Sequence, residues 1–257
     1  MDADHYTSLN RAAWNEIAEH RQRVLFPDAA FFASGGTILD QEPIGALGDV
    51  RGRHLLHLQC ATGEETLSWA NLGAAVVGVD IAERQIELAR QKAREAGIPA
   101  RFVVADVLHL PADLQRGEFH IVYTGDGVIP WLPDLTPWAA GIHSALAPSG
   151  RFVLWETHPL LPCLQIDGAQ IHVEGDYFGR GQVEFSTGWR HFPGASDTRA
   201  VKAQFAWPLG DIVTTLAQAG LRIELLREYR HAEHHRFPPP TALARIPSKY
   251  LLLARKA

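Results

Sequence analysis

The chain is poor in the residues that would mark several large classes of protein. Its 257 residues include two cysteines, Cys60 and Cys163, and one methionine. Two cysteines so placed give no disulfide framework and no metal-ligand pair by spacing, so a reducing, cytoplasmic setting is expected. No apolar run approaches the ~20 residues that span a bilayer. The start, Met1-Asp2-Ala3-Asp4-His5, is acidic and polar where a secretory leader would be basic and then apolar. A soluble, intracellular protein is therefore expected. Basic residues number 24 against 29 acidic ones, and they are scattered. Nucleic acid is not an expected partner, because phosphate binding needs clustered lysine and arginine.

What remains is ordinary globular material, 46% hydrophobic and 21% charged, enough for one sizeable core. The first 50 residues read as helical. Leu9, Ala13, Trp14 and Ile17 share one helix face, Ser34-Gly35-Gly36 breaks the chain, and a second helix is predicted from Thr37 to about Leu47. A regular alternation follows. Apolar runs at 53–59, 74–80, 101–105, 119–124 and 151–156 are separated by helical patterns at 64–71, 82–96 and 134–146. The runs are continuous rather than alternating, which marks strands buried on both faces. Strands alternating with helices predict a parallel, doubly wound sheet.

The pattern breaks between Thr157 and Phe205, a stretch rich in glycine, aromatics and histidine. Gln182-Val183-Glu184-Phe185-Ser186 alternates there, which suggests an inserted antiparallel piece over the carboxyl edge of the sheet. A helix from about Leu209 to Ala219 and a pair of strands, 221–229 and 249–255, close the chain. One domain, 1–257, is expected: a helical cap over 1–50, a ligand-binding core over 51–156, an insertion or lid over 157–206, and a helix with two strands over 207–257.

In such a sheet, ligands bind beyond the carboxyl ends of the strands, where strand order reverses. After the first strand come Gln59, Cys60, Ala61, Thr62 and Gly63, small enough for close backbone approach and backed by a helix start. Asp80 ends the second strand, where a carboxylate can accept both hydroxyls of a ribose. Asp106 follows the third strand and can accept from an exocyclic amine, with Ile81 and Val107 on either side of an adenine ring. The fourth strand ends in Tyr123-Thr124-Gly125-Asp126-Gly127, where the chain turns under the reactive end of the ligand. Taken in order, these residues describe a nucleoside cleft.

With Leu56-His57-Leu58-Gln59-Cys60, Leu67-Ser68-Trp69-Ala70 and Val77-Gly78-Val79-Asp80, the chain resembles the class I S-adenosylmethionine (SAM) dependent methyltransferases. It is most similar to a bacterial small-molecule subgroup whose first motif reads leucine-histidine-leucine-glutamine-cysteine. The resemblance extends to Asn10-Arg11-Ala12-Ala13-Trp14, Trp131-Leu132-Pro133-Asp134-Leu135, Glu156-Thr157-His158-Pro159 and Ala219-Gly220-Leu221-Arg222-Ile223-Glu224. It implies a Rossmann-like α/β fold of seven strands with the last one antiparallel. By position it implies that Gln59, Cys60, Ala61 and Gly63 cradle the methionine part of SAM. Asp80 would then hold the ribose, Asp106 the adenine amine, and Thr124 would lie near the reactive end. Tyr6 and Trp14, on a helix folded over the cofactor, would line the lid, and the product would be S-adenosylhomocysteine (SAH). The chain departs from the broader superfamily at His57, where an acidic residue is usual, and at Gln59 and Ala61, where glycines are usual. It departs from the subgroup at Ala61-Thr62, which there is commonly His-Phe.

Methyl transfer is an in-line displacement served by alignment and desolvation, and a base is needed only if the acceptor must lose a proton. His158, with Glu156 to orient it or to contact substrate, and Asp126 are the candidates. Trp131, Trp155, Tyr177, Phe178 and Trp189 form either an apolar acceptor pocket or the insertion's own core. His231-Ala232-Glu233-His234-His235 falls between the last two strands, far from the cofactor edge, and no metal is assigned to it. Methyl transfer to a small aromatic or hydrophobic metabolite is thus the leading expectation. The alternatives are a SAM-requiring natural-product tailoring enzyme that cyclises or decarboxylates without net methylation, and a non-catalytic SAM-binding protein. A nicotinamide-dependent enzyme is disfavoured by the lack of a Gly-x-Gly-x-x-Gly run after the first strand.

Overall fold

The computed structural model describes residues 3–167, 170–181, 183–189, 192, 194–230 and 245–257. The histidine group at 231–235 and Gln182 lie outside the described residues. Three helices come first: α1 (Ala3–Leu25), α2 (Ala29–Ala33) and α3 (Gln41–Leu47). The α/β alternation then runs β1 (His54–Leu58), α4 (Glu64–Asn71), β2 (Ala75–Asp80), α5 (Glu83–Ala96), β3 (Ala100–Val104), β4 (Phe119–Gly125), α6 (Leu135–Ala145) and β5 (Leu146–Thr157). Two hairpins follow, β6 (Leu164–Asp167) with β7 (Gln170–Val173) and β8 (Val183–Ser186) with β9 (Lys202–Phe205). The chain closes with α7 (Leu209–Gln218), β10 (Leu221–Tyr229) and β11 (Lys249–Lys256).

The main sheet has the order β10-β11-β5-β4-β1-β2-β3, and strand order reverses between β1 and β4. All neighbours are parallel except β11, which runs antiparallel to both β5 and β10. Alternate residues of each strand enter opposite layers. Leu56, Val122, Phe152, Leu154 and Leu252 pack with Trp138 and Ile142 of α6 and Ile212 and Leu216 of α7. Leu55, Tyr123, Val153, Trp155 and Leu251 pack with Trp69 of α4 and Leu47 of α3. Each such side chain taken from water contributes about 1.5–3 kcal/mol, which explains why the strands read as unbroken apolar runs.

Local signals set the helix ends. Asp134 caps α6, its carboxylate accepting from Thr136 N at 2.7 Å. α5 stops at Gly97, whose φ of +67° suits the left-handed turn there. The helix expected from Thr37 begins only at Gln41, because the preceding residues are drawn out extended: Ile38 N donates to Ser68 Oγ at 3.1 Å. β5 starts earlier than expected and carries its turn residues within it, Ser149 taking a φ of +60°.

α1 crosses the top of α5. Asn15 Nδ2 donates to Glu83 Oε2 and Asn15 Oδ1 accepts from Arg84 N, both at 2.8 Å, while Gln85 Nε2 donates to Trp14 O at 2.9 Å. On its other side α1 meets the segment after β5. Asn10 exchanges two hydrogen bonds with Ala203, and Ala13 and Ile17 pack on Trp189, Phe192 and Ala195.

Candidate cofactor and active site

A cavity of about 500 Å³ opens at the carboxyl ends of the central strands, beneath α1. Of the residues expected there, Trp14, Gln59, Cys60, Ala61, Asp80, Ile81, Asp106, Val107 and Asp126 line it. Its floor is the loop after β1, which coils through positive φ at Gln59 (+56°), Ala61 (+46°) and Gly63 (+82°). The coil is tied to β2. Cys60 N donates to Val79 O at 2.9 Å, and Ala61 N donates to Asp80 Oδ2 at 2.8 Å. Asp80 Oδ1 accepts from Ala82 N at 3.0 Å, and Ile81 N also donates to this carboxylate. Burial pushes the Asp80 carboxyl up, against the pull of those backbone donors. Gln59 Nε2 donates to Val128 O at 3.1 Å, leaving its Oε1 buried without a partner. Burial raises the Cys60 thiol, which makes it a filler rather than a nucleophile.

Five expected residues stand off the cavity wall. A Cβ on Gly63 would come 2.9 Å from Ala89 and the Phe102 ring, so this glycine serves helix–strand packing. Thr124 is fully buried and donates to Leu58 O at 2.9 Å, joining β4 to β1. Tyr6 packs edge-on against Phe205 at 5.1 Å. Glu156, 1% exposed, accepts from four backbone N–H groups, those of Gly127, Val128, Ile129 and Thr157. His158 Nδ1 accepts from Leu160 N at 3.1 Å, its Nε2 lies 2.9 Å from Glu228 Oε1, and burial lowers its basicity. Both side chains alternate with Trp155 and Thr157, which do reach the cavity. The aromatic residues divide. Trp131 and Trp155 line the cavity, Trp189 is buried against α1, and Phe178 is exposed.

Two charged groups went unread in the sequence. In one, Glu64 is buried among Lys92 Nζ, Thr62 Oγ1 at 2.6 Å and Arg21 Nη1 at 3.7 Å. Arg21 and Glu64 also face the cavity. In the other, Lys249 Nζ lies 3.1 Å from Asp40 Oδ2 and 3.2 Å from Asp126 Oδ1, with Glu65 beside them. Asp126 takes a φ of +67° just past β4, and its N donates to Trp155 O at 2.8 Å. Burial opposes the Lys249 charge, but Asp126 and Asp40 outweigh it and hold the ammonium above its ordinary range. Burial, reinforced by Asp126, pushes the Glu65 carboxyl up from 4.5 to about 8.

This last shift has a consequence for stability. A carboxyl that holds its proton more tightly when folded costs nothing below its ordinary value and destabilises as pH rises through the folded one. The wild type should therefore lose thermal stability relative to Glu65→Gln between pH 4.5 and about 8. Melting curves across that range check it; a constant difference would contradict it.

Among the described residues, no group of three or more His, Cys, Asp or Glu could hold a metal ion, and no helix is long and apolar enough to cross a membrane. Residues 55–150 match the family model described as a methyltransferase domain. The chain is 24% identical over 198 residues to an uncharacterized protein of Haemophilus influenzae, covering 72% of this chain and 73% of that one. It is 31% identical over 110 residues to a ubiquinone biosynthesis O-methyltransferase of Bordetella parapertussis, covering 43% of this chain and 44% of that one. It spans about half the length of the curated methyltransferases it matches. In fold it is similar to an S-adenosylmethionine dependent methyltransferase from Mesorhizobium loti, with a TM-score of 0.61 at 21% identity over 83% of this chain and 96% of that one. It is also similar to magnesium protoporphyrin IX methyltransferase from Synechocystis with bound SAH, with a TM-score of 0.60 at 17% identity over 98% and 99%. Residues 55–150 of this chain thus match a methyltransferase domain, and the chain shares its fold with solved methyltransferases.

Proposed function

We propose that this chain transfers the methyl group of SAM to a small metabolite with an aromatic or apolar body. The observation that carries this reading is the single cavity wall in which a nucleoside-binding half meets an apolar half. Its donor set fits the cofactor. Asp80 presents a carboxylate to the cavity for a ribose hydroxyl, and Ile81 and Val107 offer apolar faces for a flat base beside Asp106. Arg21 supplies a cation for the cofactor's carboxylate, and the orphaned Gln59 Oε1 supplies an acceptor for its ammonium. The volume, about 500 Å³, lies in the usual range for such ligands.

When bound, SAM supplies an electrophilic methyl group. The chain's own part is alignment of the acceptor with that methyl group and exclusion of water. Trp14, Val128, Trp131, Leu132 and Trp155 give the acceptor half its apolar surface. Trp14 and Trp131 meet edge to face at 5.2 Å, a rigid wall that suits a planar acceptor. α1 and β9, which bring Thr7, Asn10, Trp14 and Gln204 to the cavity, act as the lid. The two buried free cysteines suit a reducing, cytoplasmic compartment.

Incubation with SAM and a panel of phenols, aromatic acids and polyketide-like compounds, read by mass spectrometry, tests the proposal. The expected result is an acceptor heavier by one methylene together with SAH in equal amount. A product that requires SAM but gains no methyl group would instead indicate a cyclising or decarboxylating enzyme. Binding without turnover across the panel would favour a non-catalytic role.

A further inference from the structure

At one place on the cavity wall the carboxyl groups of Asp40, Glu65 and Asp126 gather around one ammonium, that of Lys249. Lys249 is committed to two of them, bridging Asp40 and Asp126 over the Trp155 ring, whose indole N–H also donates to Asp40 at 2.6 Å. Glu65 is held differently. The Tyr123 hydroxyl donates to its Oε1 at 2.9 Å, and His57 Nε2 lies 3.6 Å from its Oε2. That ring nitrogen is buried and has no hydrogen-bond partner, while the other ring nitrogen meets Thr66 Oγ1 at 2.8 Å. His57 is 1% exposed, and burial holds it neutral at about 3. A neutral, orphaned imidazole aimed at a carboxyl from behind, with the cavity in front, is a device for orienting a group that gains and loses a proton.

Resting on the methyltransferase reading, we propose that Glu65 takes the proton lost by the methyl acceptor, and that the arriving cationic cofactor puts it in its charged form. The groups facing it are Asp40 ahead of α3, His57 on β1, Tyr123 on β4, Asp126 beyond β4 and Lys249 on β11. Burial, reinforced by the Asp126 and Asp40 charges, keeps the proton on Glu65 up to about pH 8. A sulfonium in the same cavity favours the carboxylate, and the proton leaves to solvent. Glu65 then accepts the acceptor's O–H or N–H proton as the acceptor's lone pair bonds to the methyl carbon. The carbon–sulfur pair stays on sulfur, the product is neutral, and Glu65 remains protonated until the next cation enters.

The test needs no acceptor. SAM and SAH share amino and carboxyl groups and differ in the sulfonium charge, so their difference isolates it. Titration calorimetry of the whole chain at pH 8, in buffers of different ionisation enthalpy, counts the protons each releases. SAM should release about half a proton more than SAH, because Glu65 is then half protonated. Glu65→Gln should abolish the excess. Asp126→Asn, which removes a charge that keeps the proton on, should move its midpoint to lower pH. Equal release by the two ligands, or an excess that survives in Glu65→Gln, would overturn the proposal while leaving the methyltransferase reading intact. If neither ligand binds, that reading fails, and the proposal with it.

Discussion

Replacing Glu64 by alanine is expected to lower the melting temperature by roughly 10 °C, because removing one partner of a buried ion pair costs about 3–5 kcal/mol in a domain of this size. Glu64 is 2% exposed at the start of α4. It is hydrogen-bonded to Lys92, itself 2% exposed, and to Thr62, and lies near Arg21. Alanine leaves an ammonium without its counter-charge in the interior, where an unpaired charge is least tolerable. Glutamine keeps the shape and one acceptor and should fall between. The effect has a pH signature. Burial alone would raise the Glu64 carboxyl, but Lys92 and Arg21 bring it below its ordinary value. Its stabilisation is therefore present above 4.5 and lost as pH falls below it, so wild type and variant should converge in acid. Differential scanning calorimetry at several pH values measures this. A shift of only a degree or two at neutral pH would mean that the network is solvated and structurally unimportant.

Glu156→Ala is the second large effect. The carboxylate gathers Gly127, Val128 and Thr157 N at 2.6–2.7 Å and Ile129 N at 3.2 Å, so it works as a clamp on the turn after β4. Each buried N–H left without a partner costs about 1–3 kcal/mol, and partial relaxation suggests about 3 kcal/mol in all. The turn also carries Asp126, and Val128 O accepts from Gln59. Affinity for SAH should accordingly fall about tenfold, equivalent to ~1.4 kcal/mol, alongside the loss of stability. If the variant melts like the wild type and binds SAH normally but no longer turns over, Glu156 acts in the chemistry and the clamp account is wrong.

Much of the fold could be read from the sequence because the sheet is covered on both sides. Buried strands such as β1, β4 and β5 show as unbroken apolar runs, and the glycine at 97 marks the end of α5 whatever surrounds it. Strand-end acids were legible for the same reason: the topology brings Asp80, Asp106 and Asp126 to one edge. Which face a side chain takes beyond that edge is set by pleat and local turns. Trp155 and Thr157 therefore reach the cavity while Glu156 and His158 turn away. Pairings between distant segments leave no local trace. Asp40 and Lys249 meet across 209 positions, and Arg21 reaches Thr62 across 41. Glu65 was hidden differently. It sits in the first turn of α4, where an acid is the ordinary choice against the helix dipole.

The central claim is that the edge formed by the ends of β1 and β2 holds the adenosyl cofactor through Asp80. Titration calorimetry with SAH, run in parallel on the wild type and Asp80→Ala, tests it most directly. The account predicts micromolar binding by the wild type, and a loss of roughly 10- to 100-fold in the variant, as expected for charge-assisted hydrogen bonds to a diol. No binding by the wild type, or equal binding by the two proteins, would contradict it.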